Sequence, residues 1–567
     1  MSTTVDRPVI LIGAEFEENL SLRYLSAALD AAGFPCLRIA FNDPADIDDV
    51  VSRVLDARPL LVGLSMPFQM RAKEFLELAT RLRARGCTAH LTIGGHFATF
   101  EFANLLAGYA AIDSVVRHEG EETLVALCQH LAAGTGLTGI RGLVWRAVDG
   151  VVHDEGKRQL PPLDTLAFPD RAGAPHRVMG IPVSPLIGSR GCYADCSFCC
   201  IYAYAENADG ARYRRRSPED IAREMAQEYH GRGARLFVFH DDNFFVPSRA
   251  QNLARYERLK TLLDEAGMTD IALVIKCRPN DVHHDLFALL KSMGLIRVYI
   301  GIETNSDEGV ISLNRRITSA DNRRALGVLR DLDLYHSFNL LIFDPEATLD
   351  GIRRNLDFMG EFGDAPFNFC RAEVYAGTPL QQILSSQGRL EGDYFAWGYR
   401  MRDPRVELLF RISSTVFASR NFKADGVANL NMGIRVDNEV VRHFHPAAWD
   451  AAWHERLVDF SRRVAADSER ALRDALAFAV DVDLDDYDAT KAFTLALARR
   501  VARADLAFVT ECRALRRELE DRVRAARGDI PLAIGHEAPP WAAETWRLGS
   551  STGRDVSTER LPTPSLH

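Results

Sequence analysis

Short apolar runs and amphipathic stretches alternate through the first 135 residues. The runs Pro8–Gly13, Cys36–Phe41, Leu60–Ser65, His90–Gly95 and Ser114–His118 predict strands, because strands buried on both faces read as continuous apolar segments. Between them, Asn19–Ala32, Ile47–Ala57, Arg71–Arg85 and Phe102–Ala107 carry helical spacing. Such alternation predicts a Rossmann-like, doubly wound parallel sheet over residues 1–135, in which ligands bind at the carboxyl ends of the strands. Residues 136–182 read as a linker, with a hairpin of Ile140–Ala147 and Val151–Glu155 around an Asp-Gly turn, then a Pro-rich connection. A second alternating series fills 183–400, with strands at Val183–Gly188, Leu236–His240, Ala272–Cys277, Val298–Glu303, Ser337–Phe343 and Phe367–Tyr375. Its helices include one opened by Ser217-Pro218-Glu219-Asp220, which offers an N-cap, a proline at the first turn and two acids, and others at Asn280–Met293 and Ser319–Leu332. Residues 401–540 turn strongly helical, notably over Trp453–Ala477 and Ala489–Ala526, and predict a domain that caps the second series or recognises substrate. Pro, Ser, Thr and Gly accumulate beyond it, so 541–567 is expected to be a disordered tail.

The strand-end loops of the first series are Gly13-Ala14-Glu15, Ser65-Met66-Pro67-Phe68-Gln69, Gly94-Gly95-His96 and Arg117-His118-Glu119-Gly120-Glu121. Their glycines let a bulky ligand approach the backbone. The first loop is not G-x-G-x-x-G and no Walker motif occurs, which argues against a nucleotide site.

At 567 residues and 47% hydrophobic content the chain can bury a large core. A net charge of −10 argues against a general nucleic-acid binder. No run of eighteen apolar residues appears and the N-terminus lacks a signal-peptide stretch, so a cytoplasmic protein without a membrane span is expected.

Cys192, Cys196 and Cys199 stand in the run Gly188-Ser-Arg-Gly-Cys-Tyr-Ala-Asp-Cys-Ser-Phe-Cys-Cys200, with spacing C-x3-C-x2-C. Three thiolates this close on one loop can bind three irons of a cubic iron–sulfur cluster and leave the fourth iron open. Cys200 makes a fourth nearby thiol, so a structural zinc site is the rival reading. Zinc loops usually come as two separated C-x2-C pairs, and no second pair exists. The other six cysteines are scattered singly.

The cysteine run, with aromatic Phe198 just before the third cysteine, resembles the signature of the radical S-adenosylmethionine (SAM) enzymes. The later strand ends are similar to that family's in order. The resemblance implies a partial (β/α)6 barrel over 183–400 and assigns SAM contacts. Asp241, Asp242 and Asn243 would receive the amino group, and Arg278 would face the carboxylate. Glu303 would lie near the ribose or amine, the trailing basic Arg316 is a further SAM contact, and Tyr375, ahead of Gly377-Thr378-Pro379, would lie near the adenine. Asp344 stands where the family has a glycine. No substrate-directed base is assigned.

Residues 7–135 resemble the cobalamin-binding domain that precedes this core in many such enzymes, on the Gly94-Gly95-His96 turn and the Arg117–Glu121 run followed by Thr123. The implied contacts are Gly13, Ser65, Met66, Gln69, Gly94, Gly95, His96, Glu119 and Gly120. The D-x-H-x-x-G motif that supplies a cobalt-ligating histidine elsewhere is absent, and His96 is the histidine to watch. The resemblance implies a [4Fe–4S] cluster, SAM and cobalamin as cofactors. It also implies methyl transfer to an unactivated carbon of a natural-product or peptide substrate, two SAM molecules per turnover and a flavodoxin-type electron donor. Cyclisation or rearrangement without net methyl transfer is the alternative. A cobalamin or redox sensor is a third reading.

Overall fold

The computed structural model describes residues 7–528; the expected tail at 541–567 and the end of the 401–540 stretch lie outside the described residues. Five parallel strands, β1 (Val9–Gly13), β2 (Cys36–Ala40), β3 (Leu61–Ser65), β4 (His90–Gly94) and β5 (Ser114–Val116), run in the order 2-1-3-4-5. Residues one apart on a strand point to opposite faces. Ile10, Ile12, Val62 and Leu64 therefore bury against α2 (Ile47–Ala57), α3 (Ala72–Ala84) and α4 (His96–Gly108). Val9, Leu11 and Leu61 bury on the other face against α1 (Leu20–Ala31) and α5 (Glu121–Ala133). Each such side chain contributes about 1.5–3 kcal/mol of burial.

Two helices depart from the sequence pattern. α4 starts at His96 rather than Phe102, because Gly95, at φ +109, turns the chain into it. α5 was not legible, since its first turn, Glu121 and Glu122, reads as loop; the acids suit the positive end of the helix dipole. The hairpin forms as β6 (Leu143–Arg146) and β7 (Val152–Asp154), and β6 pairs antiparallel with β5, so the sheet grows to seven strands.

Next, β8 (Arg177–Val178) pairs antiparallel with β9 (Ile181–Leu186), which leads into a separate antiparallel pair, β10 (Ser189–Gly191) and β11 (Tyr213–Arg215). The cysteine run and α6 (Cys200–Asn207) lie between β10 and β11. β9, β12 (Leu236–Phe239), β13 (Ala272–Cys277), β14 (Leu295–Glu303), β15 (Tyr335–Phe343) and β16 (Phe367–Arg371) form one open parallel sheet, a half-barrel. The helix after Ser217 forms as expected, with Ser217 Oγ accepting the Asp220 N–H at 3.1 Å.

Phe237, Phe239, Leu273 and Ile275 face the connecting helices. The alternate residues Leu236, Val238, Ala272 and Val274 face Val427, Leu430 and Ile434 of the helix Val427–Phe444. The C-terminal helices (Pro404–Phe422, Val427–Phe444, Ala451–Asp481 and Tyr487–Arg527) thus fill the free face of the half-barrel and leave its strand ends to the N-terminal sheet. Among the described residues no helix is long and apolar enough to cross a membrane.

Candidate cofactor and active site

The carboxyl ends of the two sheets meet around one cavity of about 510 Å³. Its walls carry Ser65, Phe68, Gly94, Gly95, His96, His118, Glu119 and Gly120 from the first sheet. Gly191, Ile201, Tyr204, His240 and Asp242 come from the second. Gly191 and Ile201 flank the cysteine run, so the cavity reaches both of its ends. The order 2-1-3 places the switch point of the first sheet between β1 and β3, where open α/β sheets take ligands.

Ion pairs and ring contacts join the two halves. Arg190 on β10 donates to Glu119 Oε2 and Glu121 Oε1, each at 2.7 Å, and Arg214 on β11 also pairs with Glu119. The His96 ring lies 4.0 Å from the Tyr204 ring of α6. Gln69 Nε2 donates to Val374 O at 2.9 Å, and Phe68 lies 6.1 Å from Tyr375. Gly377, at φ +77, lies so close to Phe100 of α4 that a Cβ there would meet the ring at 2.3 Å.

The cysteine loop is anchored from several sides. Ser197 N–H donates to Leu313 O at 3.0 Å, Leu380 N–H to Ser197 O at 2.8 Å, and Asn314 Nδ2 to Asp195 O at 2.8 Å. Cys196 is buried, and its Sγ accepts from Arg278 Nη1 at 3.0 Å and Arg315 Nη1 at 3.2 Å. Two guanidinium donors thus converge on one sulfur. Burial pushes the Cys192 thiol up to about 11, and burial followed by the charges of Cys200 and Cys196 pushes Cys199 well above its ordinary value. Loading the loop with iron therefore displaces protons.

Of the residues assigned to SAM, Asp242 opens onto the cavity while protein hems it in; burial raises its carboxyl to about 6, and it accepts the Gly191 N–H at 3.0 Å. Asp241 and Asn243 turn inward instead. Asp241 accepts from Gly188 N–H at 2.8 Å and Ser189 Oγ at 2.6 Å, tying two strand ends together, and Asn243 Nδ2 donates to Phe245 O at 3.0 Å. Arg278 is committed to Cys196 and to Arg315 O. Glu303 ends β14 at φ +65, strained for a glutamate, and burial raises its carboxyl against the lowering charges of Arg315 and Arg278. Arg316 points outward to Asp195, with its side chain 71% exposed. Its neighbour Arg315 points inward, because left-handed turns at Asn314 and Arg316 set the two on opposite sides. Phe198 packs against the half-barrel core, and Tyr375 faces Phe68 at the junction of the halves. Asp344 is buried and caps its own turn, accepting the Glu346 N–H at 3.0 Å.

Of the residues assigned to cobalamin, Ser65, Gly94, Gly95, His96, Glu119 and Gly120 line the cavity. Gly13 packs against Leu22 and Ser65, Met66 is buried, and Gln69 serves the Val374 contact. Burial holds His96 neutral, lowered to about 4. His118, Tyr204, Arg190 and Arg315 were not singled out from sequence. His118 lies in the Arg117–Glu121 loop, and Arg315 directly precedes Arg316, with no spacing rule to select which of the two points inward.

Two family descriptions match the chain: the B12 binding domain over residues 10–128 and the Radical SAM superfamily over residues 186–359. Among curated relatives, the "Uncharacterized methyltransferase PH0819" of Pyrococcus horikoshii is 26% identical over 304 residues, 53% of this chain and 64% of that protein. The "Anaerobic magnesium-protoporphyrin IX monomethyl ester cyclase" of Cereibacter sphaeroides is 23% identical over 379 residues, 64% of this chain and 60% of that protein. Both matches span less than two thirds of the relative's own length. Among solved structures, the "Cobalamin-dependent S-adenosylmethionine radical enzyme OxsB with aqua-cobalamin bound" superposes with a TM-score of 0.66 at 16% identity. That match covers 96% of this chain and 84% of that one, a likeness of fold that includes the C-terminal helices.

The side chains fit the groups such domains hold. Among the described residues no three His, Cys, Asp or Glu side chains gather on one point as a single ion requires. A cubic cluster instead takes each thiolate on a different iron, and the loop offers three with cationic hydrogen-bond donors at Cys196. On the corrinoid side, Gly95 leaves no room for a Cβ, which would meet the Met66 and Pro67 backbone at 2.8 Å, and neither ring nitrogen of His118 makes a well-aligned hydrogen bond.

Proposed function

We propose that this chain, a member of the cobalamin-dependent radical SAM enzymes by its two matched domains, is a C-methyltransferase acting at an unactivated carbon of a small-molecule or peptide substrate. The cofactors are those of the family: a [4Fe–4S] cluster, SAM and cobalamin. When bound, SAM and the reduced cluster supply hydrogen-atom abstraction, and methylcobalamin supplies the methyl group.

One observation carries the proposal. A single cavity joins the strand ends of the B12-type sheet to both ends of the cysteine loop, with His96 and Tyr204 in ring contact across it. A substrate held there faces both cofactor sites without leaving the protein. Cys192, Cys196 and Cys199 hold the cluster, while Arg278 and Arg315 neutralise charge at Cys196. Asp242 offers acceptor oxygens to the SAM amino group, and Glu303 lies near the ribose or amine. Ser65, Gly94, Gly95, His96, Glu119 and Gly120 surround the corrinoid. The Arg190–Glu119–Glu121–Arg214 network closes the joint and keeps water and oxygen from it. A flavodoxin-type protein delivers electrons, in the cytoplasm.

The relatives' names divide between methyl transfer and ring closure. Product mass separates the two: with SAM carrying a trideuterated methyl group, methyl transfer adds three deuterons to the product. A product that gains no deuterium, whether it has lost hydrogens or is an isomer of the substrate, establishes the second reading, a cobalamin-binding cyclase or rearrangement enzyme.

A further inference from the structure

Residue 118 follows β5 at the rim of the cavity, with φ +60. That left-handed backbone suits glycine, and Asn, Asp and His are the side chains that visit it most often. A turn alone would be served best by glycine, yet this chain keeps a histidine there. Its backbone is pinned, since the His118 N–H donates to Thr99 Oγ1 at 2.9 Å. The residue is 6% exposed and lines the cavity, and its ring lies 5.1 Å from the Tyr204 ring.

Neither Nδ1 nor Nε2 makes a well-aligned hydrogen bond, and the one polar side chain paired with the ring, Asn207, leaves its own Oδ1 unsatisfied. Burial, with the charges of Arg117 and Lys157, keeps the imidazole neutral. Asn207 can serve one ring nitrogen at most, so a buried ring here keeps at least one nitrogen for a ligand.

We propose that His118 grips the corrinoid, its neutral imidazole hydrogen-bonding a carboxamide side chain on the edge of the corrin ring. A neutral imidazole has one N–H donor and one lone-pair acceptor, and a carboxamide offers the complement of either. Position in the sheet favours the ring's edge over its metal. With the order 2-1-3-4-5, β5 lies two strands from β3, roughly 10 Å from the crevice at the switch point. That offset matches the rim of a macrocycle seated over the crevice.

The inference rests on the cavity being the corrinoid site, and the test separates the two. The full chain, freed of corrinoid, is titrated with hydroxocobalamin, and Kd is read from quenching of protein fluorescence. The thermal midpoint of the corrinoid-free protein is measured beside it. His118→Gly raises Kd about tenfold, the loss of one hydrogen bond, while the midpoint holds or rises because glycine relieves the backbone. His118→Asn keeps both the left-handed turn and an amide, and binds within about threefold of wild type. A His118→Gly variant that binds within about twofold of wild type overturns the proposal. So does a nitrogen splitting in the electron paramagnetic resonance spectrum of the cob(II)alamin-loaded wild type that the variant lacks, which would place the imidazole on cobalt. A wild-type chain that does not bind hydroxocobalamin overturns the cofactor site first, and this proposal with it.

Discussion

Replacing Arg190 by methionine keeps most of its stem and removes the guanidinium that Glu119 and Glu121 share at 2.7 Å each. Glu121 is 8% exposed. Burial pushes its carboxyl up, but the charge and hydrogen bond of Arg190 outweigh that and hold it below the usual range. In the variant, Glu119 keeps its Arg214 contact and Glu121 loses its direct partner. An uncompensated buried carboxylate costs about 3–5 kcal/mol.

The pH dependence of that loss follows from the sign of each shift. In the wild type the folded pKa is depressed, so the contribution of Glu121 is present above its unfolded value, about 4.3, and is lost as pH falls through the folded pKa. In the variant burial, the largest effect, is opposed only by the backbone hydrogen bond at Glu121 and the charge of Arg214 and raises the folded pKa, so the deficit is full at pH 7 and shrinks as pH falls towards the unfolded value. Urea unfolding at pH 5 and pH 7 measures the deficit. The double variant Arg190→Met/Glu121→Gln is expected to regain more than half of it at pH 7. A deficit below about 1 kcal/mol at pH 7, an equal deficit at both pH values, or no recovery in the double variant would refute the reasoning.

Alanine at Cys192, Cys196 or Cys199 abolishes the cluster absorption near about 400 nm in the reconstituted protein, whereas Cys200→Ala keeps it. Arg315→Ala removes a hydrogen bond to the Cys196 sulfur and lowers the cluster potential by on the order of 50 mV in a redox titration; Arg316→Ala, whose side chain points outward, leaves it unchanged. His96 and His118 titrate near about 4 in the folded chain, against about 6.5 unfolded. Above pH 6.5 both are neutral in either state and cost nothing; as pH falls towards 4 the unfolded chain gains the protons first, and each destabilises the fold by up to about 3 kcal/mol. Calorimetry should show a flat midpoint above pH 6.5, falling below it, with a shallower fall in His118→Gly.

Both sheets were legible because most of their strands are buried on both faces and read as unbroken apolar runs; Ala272–Cys277 needed no change at either end. Helix starts were harder. α4 begins where Gly95 takes a left-handed turn, a conformation that the pair Gly94-Gly95 permits but does not specify. The cysteine triplet was legible because its spacing is itself the chemistry. The polar residues around it were not, because adjacent side chains at a strand end face opposite ways. Asp241 and Asp242 are equivalent as letters, yet one ties strands together and the other opens on the cavity. Arg315 and Arg316 differ in the same way, decided by two left-handed residues that a sequence does not display. The joint between the halves pairs residues 69 to 95 positions apart or more, such as Arg190 with Glu121 and Arg214 with Glu119, which no local pattern encodes.

The central claim is that the cysteine loop and the corrinoid cavity form one working site. The most direct measurement is an anaerobic incubation of the reconstituted chain with SAM and dithionite, in which iron, sulfide, bound corrinoid and released 5′-deoxyadenosine are quantified together. One cubic cluster and one corrinoid per chain, with 5′-deoxyadenosine formed, is the expected outcome. Zinc at the three cysteines, or intact SAM in the presence of a full cluster, contradicts it.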